Sequence, residues 1–494
     1  MEKQDNKGTL SVFGKIGTSF HRKGFRSGVY ATLTSILVIV AVVIVNLIAS
    51  ASGVQKDLTA TGEKSLTADT KELLSGLEDE LTFYYLTKEG ETLTWLDPSF
   101  AMYMELYENA SDKITFQTVD LLLNPKFAEK YTDRTVIQYS IIVVNETTNR
   151  SRYISSEDMV LTELTMDQYT FQYKTQVVGL DIEGQINSAI RYVTSGQQTN
   201  LYAVTGHGEW ELGTEAQTLL RKANIEYNTL ETMTTGKIPE DCDILFIAVP
   251  NNDYTETELE LLKAYADAGG DFLILAGKQE NLSNYDRLLA YCGVQLENRV
   301  IIEGNAAYHN PASQLELYPV IERGNGITDT LAGYTYLPMR NAFALKTVTD
   351  GEHEITVSPL FSTSDSAYSK KVENGQIATI SKEKDDPAGP FRTGYYLKNT
   401  DTKSEAVVLS GGYIFMDSYL MISNYANAAL LTNSINYLTE TETVSPVRTI
   451  SFDSEELLTI TAAQANAIAI VFVIVIPVVL ILSGIFVMLR RRNR

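Results

Sequence analysis

Thr205-Gly206-His207-Gly208-Glu209 places an imidazole, a carboxylate and two glycines within five residues. Imidazole and carboxylate together suit proton transfer near neutral pH, or metal ligation. Glycines allow a backbone to approach a ligand closely. The run falls where a strand turns into a helix, and a helix N-terminus offers free N–H groups to an anion. The spacing Gly206-x-Gly208-x₄-Gly213 is not the dinucleotide fingerprint G-x-G-x-x-G. The glycines would equally serve a tight structural turn. Gly206, His207, Gly208 and Glu209 are therefore candidate ligand- or partner-binding residues. No catalytic, cofactor-binding or metal-ligating residue is assigned, because His309 and His353 lie in a separate, irregular stretch.

Other chemistries lack their residues. Thr234-Thr235-Gly236-Lys237-Ile238-Pro239 has neither the first glycine nor the Ser/Thr of a phosphate-binding loop, and no G-x-S-x-G elbow occurs. The chain holds two cysteines, Cys242 and Cys292, outside any C-x-x-C. They read as small buried residues or as a pair. With so few nucleophiles the chain is expected not to be an enzyme and to need no cofactor.

The elements that would position the candidate turn form two α/β groups. Residues 50–198 open with a helix after Thr67 and Asp69, then a strand at Leu81–Leu86 and a helix near 98–110. A strand at Ile114–Val119, a short helix within Leu121–Tyr131, strands at Tyr139–Asn145 and Ser151–Ile154, and a helix at Ile182–Val193 follow. The order β-α-β-α-β-β-α predicts a thioredoxin-like sandwich without a redox motif.

From residue 199 the strands become nearly continuous apolar runs, with a strand at Leu201–Thr205, DILFIAV at Asp243–Val249, DFLILA at Asp271–Ala276 and EAVVLS at Glu405–Ser410. Thr255-x-x-Glu258 opens the helix between the second and third of these as a capping box. Apolar strands alternating with helices predict a doubly wound parallel sheet over 199–440. Residues about 300–400 read as an irregular β-rich insertion, and a helix over Tyr425–Leu438 closes the group. In such folds ligands bind at the carboxyl ends of the strands, where the Gly206–Glu209 turn falls.

The ends differ from the middle. Residues 29–49 and 467–489 are uncharged apolar runs, each long enough to cross a bilayer. Pro477 and Gly484 are tolerated in membrane helices. Residues 1–28 carry net +4 and residues 490–494 another +4, so the formal −22 leaves −30 on residues 50–466. Basic flanks stay in the cytoplasm, predicting a two-pass cell-membrane protein with an acidic extracytoplasmic domain and a 441–466 tether. Ala49-Ser50-Ala51 could serve as a cleavage site, but the charged and apolar stretches before it are long for a cleaved signal. The pI of about 4.7 argues against nucleic acid as a partner.

The order of several short pieces resembles a known family. They are Asn46, Asp57-Leu58-Thr59 and Ser65-Leu66-Thr67, then LYAVTGHGEW with Gly206-His207-Gly208-Glu209. Ile238-Pro239, Asp243–Pro250, Tyr265 with Gly269-Gly270, Leu273–Ala276 and VVLSGG follow. Asn433, Asn436-Tyr437-Leu438 and the last apolar run with Arg490–Arg492 complete the series. Together they resemble the GldG-like auxiliary components of ABC transporters, associated with gliding motility. The resemblance implies a non-catalytic membrane subunit that works with a separate ABC ATPase and a multi-span permease. It also implies an amidotransferase-like second domain. In amidotransferases a cysteine nucleophile stands on a strand-to-helix turn, but the comparable turn here, Ala276-Gly277-Lys278-Gln279, has none. Two rival readings stay open at this stage. One is an extracytoplasmic enzyme using His207 and Glu209 as acid and base; the other is a passive cell-wall or glycan-binding anchor.

Overall fold

A computed structural model describes residues 65–88, 97–166, 172–277, 282–348, 353–373, 375–441 and 450–451, with isolated positions in both terminal segments. The chain divides into two compact units, one of Leu66–Glu456 and one of Met1–Ser65 with Leu457–Arg494. The two apolar runs (but for those isolated positions), the Ala49–Ala51 stretch and most of the 441–466 tether lie outside the described residues. Among the described residues no helix is long and apolar enough to cross a membrane.

The first group starts with α1 (Ala68–Ser75), capped by the Thr67 side chain, and continues with β1 (Leu81–Leu86), α2 (Asp97–Ala110), β2 (Ile114–Thr118), β3 (Ser140–Asn145) and β4 (Arg150–Ile154). The sheet order is β2-β1-β3-β4. β1 and β2 are parallel, and β3 is antiparallel to both β1 and β4. Alternate residues of β1, namely Leu81, Phe83 and Tyr85, pack on Phe100, Tyr103 and Tyr107. The helix expected within 121–131 is only a short 3₁₀ turn, Ala128–Lys130. A hairpin unseen in the sequence, β5 (Val160–Met166) and β6 (Tyr173–Leu180), leads into α3 (Ile182–Ser195). The first five residues of β6, Tyr173–Val177, are exposed, so no buried alternation marked the strand.

The second group runs β7 (Thr199–Thr205), α4 (Thr214–Lys222), β8 (Ile225–Glu231), α5 (Thr232–Thr235), β9 (Ile244–Ala248), α6 (Glu256–Asp267), β10 (Asp271–Ala276) and α7 (Ser283–Tyr291). It continues through β11 (Val294–Ile302), β12 (Phe343–Thr347), β13 (Ile355–Ser362), β14 (Tyr368–Lys371), β15 (Arg392–Asn399) and β16 (Glu405–Ser410). Then come α8 (Asp417–Leu420) and α9 (Asn427–Leu438). Five neighbours in the order β16-β10-β9-β7-β8 are mutually parallel. Ile244, Phe246 and Ala248 face one core with α4 and α9, while Leu245 and Ile247 face the other with α6 and α7. Burial on both faces is why these strands read as unbroken apolar runs.

The insertion is less irregular than the sequence suggested. β15, β12, β11 and β14 extend the same sheet beyond β16 in antiparallel pairing. Their strands are short and interrupted by bulges, which hides the period. A small separate sheet of His309–Asn310, Ser313–Leu317 and Met339–Arg340 lies within this stretch.

Candidate functional site

β7 connects to β8 on one side, and the chain then crosses to β9 on the other. The carboxyl ends of β7 and β9 therefore flank the switch point at which doubly wound folds bind ligands. The structure brings the Gly206–Glu209 turn to this point, beside the Val249–Asp253 loop that follows β9. Gly206 and Gly208 have φ of 114° and 74°, which explains both glycines. The loop after β9 holds the turn in place. The Asn251 and Asn252 N–H groups each donate to His207 O at 2.9 Å, and Asn251 Nδ2 donates to Gly208 O at 2.6 Å.

His207 points inward and is 4% exposed. Its Nε2 lies 3.2 Å from Glu258 Oε2, and its Nδ1 lies 3.7 Å from Glu209 Oε1 without a hydrogen-bond partner. Glu209 folds back onto the turn. Its Oε2 accepts from the His207 N–H at 2.8 Å, and its Oε1 accepts from the Tyr254 hydroxyl at 3.0 Å. The Tyr254 ring packs 4.7 Å from the imidazole. Burial, reinforced by the Glu209 charge, pushes the Tyr254 hydroxyl well above its usual pKa, so it serves as a neutral donor. Burial also works to raise the Glu258 carboxyl. Hydrogen bonds from Thr232 Oγ1 at 2.6 Å and from the Thr255 N–H and hydroxyl outweigh it, leaving Glu258 below the ordinary carboxylate range.

Helices α4, α6 and α7 begin along this edge, and each N-terminus meets a carboxylate of the chain itself. Asp417 Oδ1 accepts from Ala216 N–H at 3.3 Å, and a Cβ on Gly213 would collide with the Asp417 carboxylate. Glu258 closes the capping box of α6. Asp253 accepts from the Asn284 and Tyr285 N–H groups of α7 at 2.9–3.0 Å. The donors that would cradle a phosphate are occupied by internal carboxylates.

The space above the central strands is also filled. Val249, at φ 46°, is a β-branched residue in the left-handed region. Its side chain takes the room that Cβ atoms at Gly277 and Gly412, beyond β10 and β16, would need. Of the Ala276–Gln279 turn only Ala276 and Gly277 are described. Cys242 and Cys292 are both free thiols; burial pushes them up to about 11 and about 12 respectively. Among the described residues no group of three or more His, Cys, Asp or Glu is arranged to hold a metal ion.

Sequence reasoning found the turn and the Thr255–Glu258 capping box, but not that Glu258 faces His207. It missed Tyr254, Asp417 and Val249. Only Val249-Pro250 carried a local signal, a strand stopped by proline.

This edge lies within a recognisable segment. Residues 198–434 match the family model of an ABC-type uncharacterized transport system. The match covers just under half of the chain and supports a relationship to ABC transporter auxiliary components. No curated protein matches. Among solved structures, the mmIFT52 N-terminal domain is similar at 16% identity and TM-score 0.37, over 50% of this chain and 100% of that one. PurLQS from Thermotoga maritima is similar at 12% identity and TM-score 0.26, over 49% of this chain and 100% of that one.

Proposed function

We propose that the chain is a GldG-like, non-catalytic auxiliary subunit of an ABC transporter, anchored in the cell membrane by residues 29–49 and 467–489. Both termini are cytoplasmic in this reading. The acidic 50–466 segment stands outside and recognises cargo or a cell-envelope partner, with a separate ATPase and a multi-span permease supplying energy and passage. The family match over residues 198–434 carries this reading. It is supported by the closure of the candidate edge: His207 is buried between two carboxylates, and three helix N-termini are capped from within. An acid–base role for His207 and Glu209 is disfavoured on access, since their side chains are 5% and 1% exposed. Co-purification of the tagged full chain in mild detergent tests the proposal. Recovery of an ABC ATPase together with a permease is expected, and recovery of neither would overturn it.

A further inference from the structure

Outside the His207 turn, the chain gathers three tyrosines from distant stretches. Tyr318 follows the Ser313–Leu317 strand of the small sheet, Tyr336 precedes its Met339–Arg340 strand, and Tyr425 stands just before α9. The backbone fixes all three. Tyr336 and Tyr425 form a parallel bridge. The Thr335 and Tyr336 N–H groups donate to Asn424 O at 3.1 and 3.3 Å, the Ala426 N–H donates to Tyr336 O at 2.8 Å, and the Tyr318 N–H donates to Tyr308 O at 2.7 Å. The Tyr318 and Tyr336 rings lie 4.5 Å apart at 34°, and Tyr425 meets Tyr336 nearly edge-on at 6.5 Å and 84°. Braced by two rings, Tyr336 is still 42% exposed. Its aromatic surface is held rigidly toward solvent.

Polar groups border this surface. Glu316 stands opposite Arg340 across the small sheet, and Asn310 Nδ2 donates to Glu316 Oε1 at 2.9 Å. Arg340 is exposed. Burial foremost, with the Glu316 charge adding to it, raises the hydroxyls of Tyr318, Tyr419 and Tyr425, which places that carboxylate beside all three.

This combination fits a sugar. A pyranose has C–H faces that stack on an aromatic ring, and a rim of hydroxyls that both donate and accept. Tyr336 supplies the ring; Glu316 and Arg340 supply an acceptor and a donor beside it. Charge selects among polymers, because the −30 on residues 50–466 repels a polyanion.

We propose that Tyr336, backed by Tyr318 and Tyr425 and bordered by Glu316 and Arg340, is a binding site for a neutral glycan chain. The proposal rests on the reading that residues 50–466 stand outside the cell, and it gives the cell-envelope partner a chemical class.

The test titrates the full chain in lipid nanodiscs, free of glycoside detergent, with cellohexaose and with chitohexaose by calorimetry. Saturable binding of at least one, with a Kd of about 1 mM or tighter, is expected. Tyr336→Ala should weaken it about tenfold or more, as truncating an aromatic anchor does. Tyr336→Phe, which keeps the ring, should stay within about threefold. Should Tyr336→Ala fail to fold, Tyr336→Leu keeps the bulk without the aromatic face and should show the same loss. Binding of neither sugar, or equal binding by the Ala or Leu variant, overturns the site. Absence of sugar binding together with loss of a co-purified permease in Tyr336→Ala also overturns it, and assigns the face to a protein. The placement outside the cell is read separately, from Lys384→Cys at an exposed position in a chain with Cys242→Ala and Cys292→Ala. Failure of a membrane-impermeant maleimide to label it on spheroplasts overturns that placement, whatever the titrations show.

Discussion

His207 Nε2 stands 3.2 Å from Glu258 Oε2, joining the turn after β7 to the first turn of α6 across 51 positions of sequence. The contact gives the imidazole a purpose that needs no ligand. It ties two connections that leave neighbouring strands, while Glu258 simultaneously caps its helix. A side chain committed in this way contributes to stability first.

Removing one member of this buried group should therefore unfold the protein more easily. His207→Ala is expected to cost about 3 kcal/mol, because it leaves Glu209 and Glu258 buried around an empty site. The double variant with Glu258→Gln should cost less than the sum of the two single changes, with a coupling of about 1 kcal/mol or more. Denaturant titration of the full chain in detergent measures all three. Strict additivity would mean the two groups do not communicate.

Asp417 acts on α4 from 201 positions away. Asp417→Ala should remove a helix cap and a favourable charge at the dipole, costing about 1 kcal/mol. Hydrogen exchange localises the effect: amides of Thr214–Gln217 should lose protection while those of α9 keep theirs. Uniform loss across both helices would show that Asp417 supports something other than the α4 terminus.

What could be read from sequence follows from where each interaction lies along the chain. β9, β10 and β16 were legible because burial on both faces demands unbroken apolar runs, whatever packs against them. The β5–β6 hairpin was not, because Val160–Met166 and Tyr173–Leu180 mix polar and apolar residues on a partly exposed ribbon. The Gly206–Glu209 turn was legible as a strand-to-helix turn rich in glycine. Its meaning was not, since Tyr254 and Glu258 reach it, and Asp417 reaches the start of α4, only through tertiary contacts. Each of those residues also has an ordinary local role, in a loop, a capping box or a short helix, which gives no hint of the second one.

The meeting of Val249 with Gly412 gives a steric prediction. A methyl group at Gly412 would strike the Val249 side chain, so Gly412→Ala should cost about 1–3 kcal/mol by overpacking. Val249→Ala in the same chain should recover part of that loss by vacating the space. Thermal unfolding of the three variants decides it. If the second substitution only adds to the damage, the crowding is not where the contact lies.

Asp271, at the start of β10, makes stability depend on pH. Burial is the main cause that pushes its carboxyl up to about 7, with the Glu405 charge adding to it against the hydrogen bond from the Glu405 N–H at 2.7 Å. A carboxyl whose folded pKa lies above its unfolded value binds more protons when folded. Its contribution is thus fully present below about pH 4 and is lost as pH rises through about 7. After allowance for partial exposure the effect is about 1–2 kcal/mol. Asp271→Asn keeps the acceptor oxygen for the Glu405 N–H but cannot ionise. It should be the more stable protein at pH 8 and should lose its advantage near pH 4. Denaturant midpoints for both proteins across pH 4–8 measure this difference; two parallel curves would show that folding does not shift the Asp271 carboxyl.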